Sequence, residues 1–250
     1  MALLPTLRVA EGALPAGVLL PGDPARALRI AQKLEGPEEL GKNREFHSYR
    51  GLWQGVPVGV VSTGVGAPGA ALCAEEALRA GAKILIRVGT AGSLQEHVRD
   101  GHLVVALGAV RAEGTTPRLL PLEFPALADP EVAQALFREA QRCGAPVHRG
   151  VVVTLDAFYQ GVLDLGLDLY ARSGALAVEM ECSAIFCVAQ LRGARAGAIL
   201  AIDGEARRAA QGHYNPHREV VHRAVDLEIE IALNALVHLL QAHFGERGCP

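Results

Sequence analysis

Ile84-Leu85-Ile86-Arg87-Val88-Gly89-Thr90-Ala91-Gly92 reads as a short, wholly apolar β-strand that closes on an arginine and a run of small residues. A guanidinium inside so apolar a run is costly unless a negative group meets it, and that group is either an internal carboxylate or a bound anion. The glycines after it let backbone come close to a ligand, and Thr90 adds a hydroxyl and an N–H. In α/β sheets ligands gather at the carboxyl ends of strands, which favours the anion and leaves the salt bridge open.

Working outward, further apolar runs at Gly17 to Leu20, Val58 to Ser62, Leu103 to Leu107, Val151 to Thr154, Ala175 to Val178 and Ala198 to Ile202 read as buried strands. Amphipathic helices are expected over Ala25 to Leu34, Gly69 to Ala80, Pro130 to Arg142 and Cys182 to Leu191. A long terminal helix is expected from about Pro216 to Ala242, capped by Asn215. Strand alternating with helix implies an α/β fold, with a largely parallel or mixed sheet covered on both faces. The chain of 250 residues is 50% hydrophobic and shows no linker or repeat, so residues 1–250 are expected to form a single domain. The polar segment Asp203 to Asn215 reads as a surface loop, a common place for function.

Composition narrows the partners. A net charge of -3 gives no basic field for nucleic acid, and no apolar stretch is long enough to span a membrane. The first residues make a poor signal peptide, so a cytoplasmic protein is expected. Five cysteines without paired spacing argue against a disulfide framework or a zinc site and read as buried reduced thiols. His213, His217 and His222 read as a solvated face, and no metal or organic cofactor is expected.

Other strand ends carry chemistry. Pro21-Gly22-Asp23-Pro24-Ala25-Arg26 turns into a helix whose free N–H groups suit an anion, with Arg26 either over that spot or in solvent beside an Asp23 cap. Val178-Glu179-Met180-Glu181 sets two carboxylates at a strand end, able to accept from vicinal hydroxyls or simply to face a helix start. Gly64-Val65-Gly66-Ala67-Pro68-Gly69 matches the dinucleotide pattern, but the next strand ends on Arg87 where an acid should hold a ribose, which disfavours a nicotinamide enzyme.

Together with Ser62-Thr63-Gly64-Val65-Gly66, Arg87-Val88-Gly89-Thr90 and Asp156-Ala157-Phe158-Tyr159, these segments resemble the uridine phosphorylase and hexameric purine nucleoside phosphorylase family from Gly17 to about Leu240. The resemblance implies a barrel-like mixed sheet flanked by helices and phosphate-dependent cleavage of a nucleoside to free base and a pentose 1-phosphate. It implies inorganic phosphate as co-substrate, held by Gly22, Arg26, Arg87 and Thr90, with Arg44 supplied by a neighbouring subunit of a homo-oligomer. A dimer is the implied minimal unit and a hexamer the expected assembly. Glu179, Met180 and Glu181 are implied at the ribose, and Phe158 stacked on the base.

The departures bear on the base. Purine members carry a serine-aspartate pair where this chain reads Ile202-Asp203-Gly204-Glu205. Bacterial uridine phosphorylases read uracil with a glutamine and an arginine after the stacking phenylalanine, where this chain offers only Gln160. Arg44-Glu45-Phe46, Ser62-Thr63-Gly64 and Pro121-Leu122-Glu123-Phe124-Pro125 resemble the uridine enzymes more, so uridine is the expected substrate and a purine nucleoside the alternative. Asp203 is expected to touch the base or to cap its loop, with Arg87, Glu181 and Asp203 as the catalytic set. The family's N-terminal histidine has no counterpart; Thr6 or Arg8 stands near its place. A water-using nucleosidase and a non-catalytic nucleoside-binding protein remain the readings from other classes.

Overall fold

The computed structural model describes residues 3–245. Its elements run β1 (Gly17–Pro21), α1 (Pro24–Ala31), β2 (Glu35–Asn43), β3 (Phe46–Trp53), β4 (Val56–Val61), α2 (Ala67–Arg79), β5 (Ile84–Ser93), β6 (Leu103–Ala112) and β7 (Ala126–Leu127). Then come α3 (Pro130–Arg142), β8 (Val147–Leu155), α4 (Leu167–Arg172), β9 (Ala177–Glu179), α5 (Cys182–Leu191), β10 (Arg195–Glu205), α6 (Ala206–Ala210) and α7 (Glu219–Gly245).

β10, β6, β8, β9 and β5 pair in that order, and β10 also pairs β5, so five strands close into a barrel. From β5 the sheet continues outward through β1, β4, β3 and β2. The ladders are mixed: β5 is parallel to β1 and β10 but antiparallel to β9. Register places Arg87 between Leu20 of β1 and Ala198 of β10, in the middle of the most buried part of the sheet. Leu19, Leu20, Leu85, Ile86, Ile199, Leu200 and Phe186 are fully buried around it, each stabilising the fold by roughly 1.5–3 kcal/mol.

Several expectations change. The β2–β3 hairpin was illegible because β2 is polar and almost entirely exposed. Of the segment expected as a loop from Asp203 to Asn215, the first part is the end of β10 followed by α6, and only residues 211–215 are loop. α7 begins at Glu219, not Pro216. Asn215 does accept from the His217 N–H at 3.0 Å, but Arg218 reaches back to the Asn215 carbonyl at 3.0 Å and to the Asp203 carbonyl at 2.7 Å, holding the approach extended. Cys73, Cys182 and Cys187 are buried thiols, whereas Cys143 is exposed and Cys249 lies outside the described residues. No helix among the described residues is long and apolar enough to cross a membrane.

The N-terminal segment is tied down by a buried carboxylate. Glu76 of α2 accepts from the Thr6 N–H at 2.9 and 3.0 Å and from the Leu7 N–H at 2.7 Å, while Asn43 donates to the Thr6 carbonyl at 2.8 Å. Replacing Glu76 with alanine leaves two N–H groups without an acceptor. The expected loss is about 2–4 kcal/mol, read as a melting temperature lower by roughly 4–12 °C; an unchanged melting curve contradicts this role.

Candidate active site

A cavity of about 610 Å³ opens where the carboxyl ends of β1, β5, β8, β9 and β10 converge. Its size suits a small organic ligand. Gly22, Arg26, Arg87, Thr90, Phe158, Glu179, Met180, Glu181 and Asp203 all border it, so the barrel brings together nine positions that are spread over most of the chain.

Arg87 is the hub of the charged end. Its Nε donates to Glu179 Oε2 at 2.9 Å, and Nη2 pairs with Glu181. Nη1 is buried and has no partner. Burial opposes the charge, but Glu181 and Glu179 outweigh it and hold the guanidinium protonated. A side chain on Gly89 would stand 2.8 Å from the guanidinium carbon, so a glycine is needed where the arginine folds back over its own strand.

The two glutamates differ in what they have left to offer. Glu179 is saturated: besides Arg87 it accepts from Thr154 Oγ1 at 2.7 Å, the Glu181 N–H at 2.8 Å and the Cys182 N–H at 3.0 Å. It is built as the anchor of Arg87 and of the first turn of α5. Glu181 takes the Gly66 N–H at 2.6 Å and otherwise faces Arg87 across the cavity wall. Burial raises its pKa and Arg87 opposes that rise. The glycine-rich turn that resembled a dinucleotide loop therefore serves Glu181; Gly64, at φ +69°, packs where an added Cβ would stand 2.5 Å from Glu45 Cγ.

Beside them, Arg26 Nη1 meets Glu228 at 3.2 Å and the Val88 carbonyl at 3.3 Å. Asp23 caps α1 by accepting from the Ala25 N–H at 2.8 Å, and Gly22 borders the same space. Gly22, Arg26, Thr90 and the free Nη1 of Arg87 thus gather on one side of the cavity.

The other end is apolar, walled by Leu155, Ala157, Phe158, Leu165, Leu167, Ala206, Ala209 and Ala210. One acid enters it. The β10–β5 register slips between Ile202 and Gly204, which leaves Asp203 as the bulged residue; a bulge re-aims a side chain. Asp203 is 4% exposed and accepts from Tyr214 Oη at 2.5 Å. Burial pushes its pKa up, against hydrogen bonding from Tyr214 and Thr90. The Tyr214 ring meets Phe158 edge to face at 5.2 Å, so one tyrosine braces both the acid and the aromatic wall.

Residues 17–238 match the Phosphorylase superfamily. The chain belongs to that family. It is a pentosyltransferase of the nucleoside phosphorylase kind. It is 36% identical to a guanosine phosphorylase from Halorubrum lacusprofundi over 96% of this chain and 100% of the relative. It is 40% identical to a uridine phosphorylase from Treponema pallidum over 78% of this chain and 80% of the relative. A crystal structure of purine nucleoside phosphorylase from Toxoplasma gondii in complex with immucillin-H superposes with a TM-score of 0.91 at 33% identity, over 97% of this chain and 98% of the other.

Two of the expected site residues do not border the phosphorylase cavity. Gln160 is exposed; its N–H bonds to the Ala210 carbonyl at 3.2 Å. Arg44 is exposed in the β2–β3 turn, with φ +54°. Residues that the sequence reading passed over include Tyr214, Glu45 and Thr154. Tyr214 alone left a trace, as an aromatic in a polar stretch.

Glu179→Ala strips Arg87 of its Nε partner and leaves two N–H groups of α5 unsatisfied. Losing one member of a buried ion pair costs about 3–5 kcal/mol. Denaturant unfolding should report a loss of that size; a loss below about 1 kcal/mol contradicts the anchor role.

Proposed function

We propose that this phosphorylase cleaves purine nucleosides, with inorganic phosphate displacing a 6-oxopurine from C1′ of the pentose. The observation that carries this reading is Asp203, a buried acid with a raised pKa held by Tyr214 beside the Phe158 wall of the cavity. A purine leaves readily when a proton reaches N7 as electrons flow into the ring, and a carboxylic acid whose pKa is raised by burial holds a proton to give more readily than an exposed one. The full-length alignment with a guanosine phosphorylase supports the same choice.

In this reading phosphate lies at the Gly22, Arg26, Arg87 and Thr90 end, where the free Nη1 of Arg87 awaits an acceptor. Arg87 and Glu181 neutralise one another across the wall, and the two substrates offer each a better partner. Phosphate oxygens suit the guanidinium fork, and ribose hydroxyls suit the carboxylate. Met180 packs against the sugar, and Phe158 covers the base. Phosphate forms the new C1′–O bond as the glycosidic C–N bond breaks through a cation-like sugar. Asp203 delivers a proton to N7 and recovers one that the phosphate gives up. Holding nucleophile and sugar together supplies a large part of the acceleration.

Uridine, the expectation from sequence, retains the support of the Treponema pallidum relative and of the Arg44-Glu45-Phe46 and Ser62-Thr63-Gly64 segments. Against it, Gln160 is outside the cavity, and no amide and arginine pair faces the base pocket among the described residues.

Steady-state rates of wild type and Asp203→Asn on inosine, guanosine and uridine, each with and without phosphate, test the reading. Wild type should prefer the purines and require phosphate. The variant should lose roughly 10²–10⁴-fold in purine kcat with its phosphate KM nearly unchanged. Because protonated Asp203 is the active form, wild-type purine turnover should fall as pH rises past its elevated pKa. Uridine as the preferred substrate, with Asp203→Asn without effect, refutes the proposal.

Arg44 sits on the surface turn of its own chain, and we assign it to a neighbour's phosphate site, which makes the working unit at least a dimer. Arg44→Ala and Arg87→Ala chains, each inactive alone, should regain activity when mixed and allowed to exchange subunits. Continued inactivity after proven exchange means that each chain completes its own site.

A further inference from the structure

On α7, the buried residues Val221, Val225, Ala232, Leu236 and Leu239 form an apolar stripe, and Glu228 occupies the turn in its middle. Its side chain is wholly buried, with Oε1 3.2 Å from Arg26 Nη1, the Ala201 backbone N–H as its one further stabilising contact, and Oε2 outside hydrogen-bond geometry with any described residue. The charged groups facing it are Arg26 from α1, Arg87 from β5 and Asp203 from β10. A carboxylate so placed, with one arginine and one orphaned oxygen, is poorly compensated. Burial outweighs the attraction of Arg26 and pushes the Glu228 pKa up to about 8. A core position on a helix needs no carboxyl, and the pairs Arg29–Asp226 and Lys33–Glu230 already tie α1 and its end to α7. Arg26, however, borders the cavity at the end where the partnerless Arg87 Nη1 is found.

We infer that Glu228 is a titrating counter-ion of the anion site, competing with phosphate for Arg26 when ionised and releasing the guanidinium when protonated. This rests on reading the Arg26 and Arg87 end as the phosphate site. One guanidinium cannot fully satisfy two anions, so phosphate binds best to the chain that carries a proton on Glu228. Linkage is reciprocal: bound phosphate raises the proton affinity of Glu228 by the factor by which protonation strengthens phosphate binding. Phosphate that meets the ionised form therefore takes up a proton with it, and affinity falls as pH climbs through about 8. Free phosphate titrates near neutral pH for every variant alike, so the difference between wild type and the Glu228 variants, and not the shared trend, reports the carboxyl.

The test is calorimetric binding of inorganic phosphate, without nucleoside, to wild type, Glu228→Gln and Glu228→Met between about pH 6.5 and about pH 9, in two buffers of unlike ionisation enthalpy. The proteins should bind alike at the acidic end. At the alkaline end wild type should bind on the order of tenfold more weakly than the variants, with proton uptake that the variants lack. Parallel affinity curves with equal proton uptake overturn the inference and reduce Glu228 to a helix contact. If neither variant folds, absence of alkaline proton uptake by wild type overturns it. Absence of phosphate binding at every pH, in all three proteins, refutes the phosphate site itself and this inference with it.

Discussion

The contact on which the site depends is the clamp of Glu179 and Glu181 on Arg87. A cation at the centre of the sheet is tolerable only because two carboxylates meet it, and each carboxylate is placed by a different device. Glu179 ends a barrel strand and receives the first N–H groups of α5; Glu181 is steadied by one N–H of a glycine turn. The clamp therefore ties β5, β9, α5 and the turn before α2 to a common point. The network runs further, since Thr154 accepts from the Ser183 N–H at 3.0 Å and the Ser183 hydroxyl reaches Glu113 at 3.1 Å. Buried polar chains of this kind stiffen a core when every member is satisfied. Here Arg87 Nη1 is the member left over, and it lies at the cavity.

The cavity separates its tasks by polarity. Charged side chains line the cavity around β1, β5 and β9, the Leu155, Leu165 and Leu167 wall is apolar, and Asp203 stands where the two meet, within reach of both Arg26 and Tyr214. The cavity owes that acid to a slip of register in β10, for a regular strand would have kept the Asp203 side chain in step with its neighbours. Tyr214 and Thr90 then hold its carboxylate in place.

Much of this was legible in the sequence where the signal was a periodic apolar run. α3 and α5 begin and end where the pattern placed them, because Pro130 and the nearly all-apolar run from Cys182 to Leu191 mark them sharply. Arg87 announced itself as a charge in an apolar strand, and the glutamates as paired acids at a strand end. What failed was whatever depends on a neighbour in space. Polar β2 is a strand only because β3 supplies its ladder. Arg218 delays α7 through contacts with distant residues. Glu228 was readable as a lone acid on an apolar helix face, but its meaning requires Arg26, 202 positions away.

Barrel closure between β5 and β10 has a consequence for synthesis. Arg87 emerges from the ribosome 92 positions ahead of Glu179, and the apolar strand that holds it has no β10 edge partner until Arg195 to Glu205 are made. Nascent apolar strands are the usual seeds of aggregation, and a charge within them blocks self-pairing. During that interval the arginine acts as a gatekeeper, keeping half-made chains apart before its glutamate partners exist.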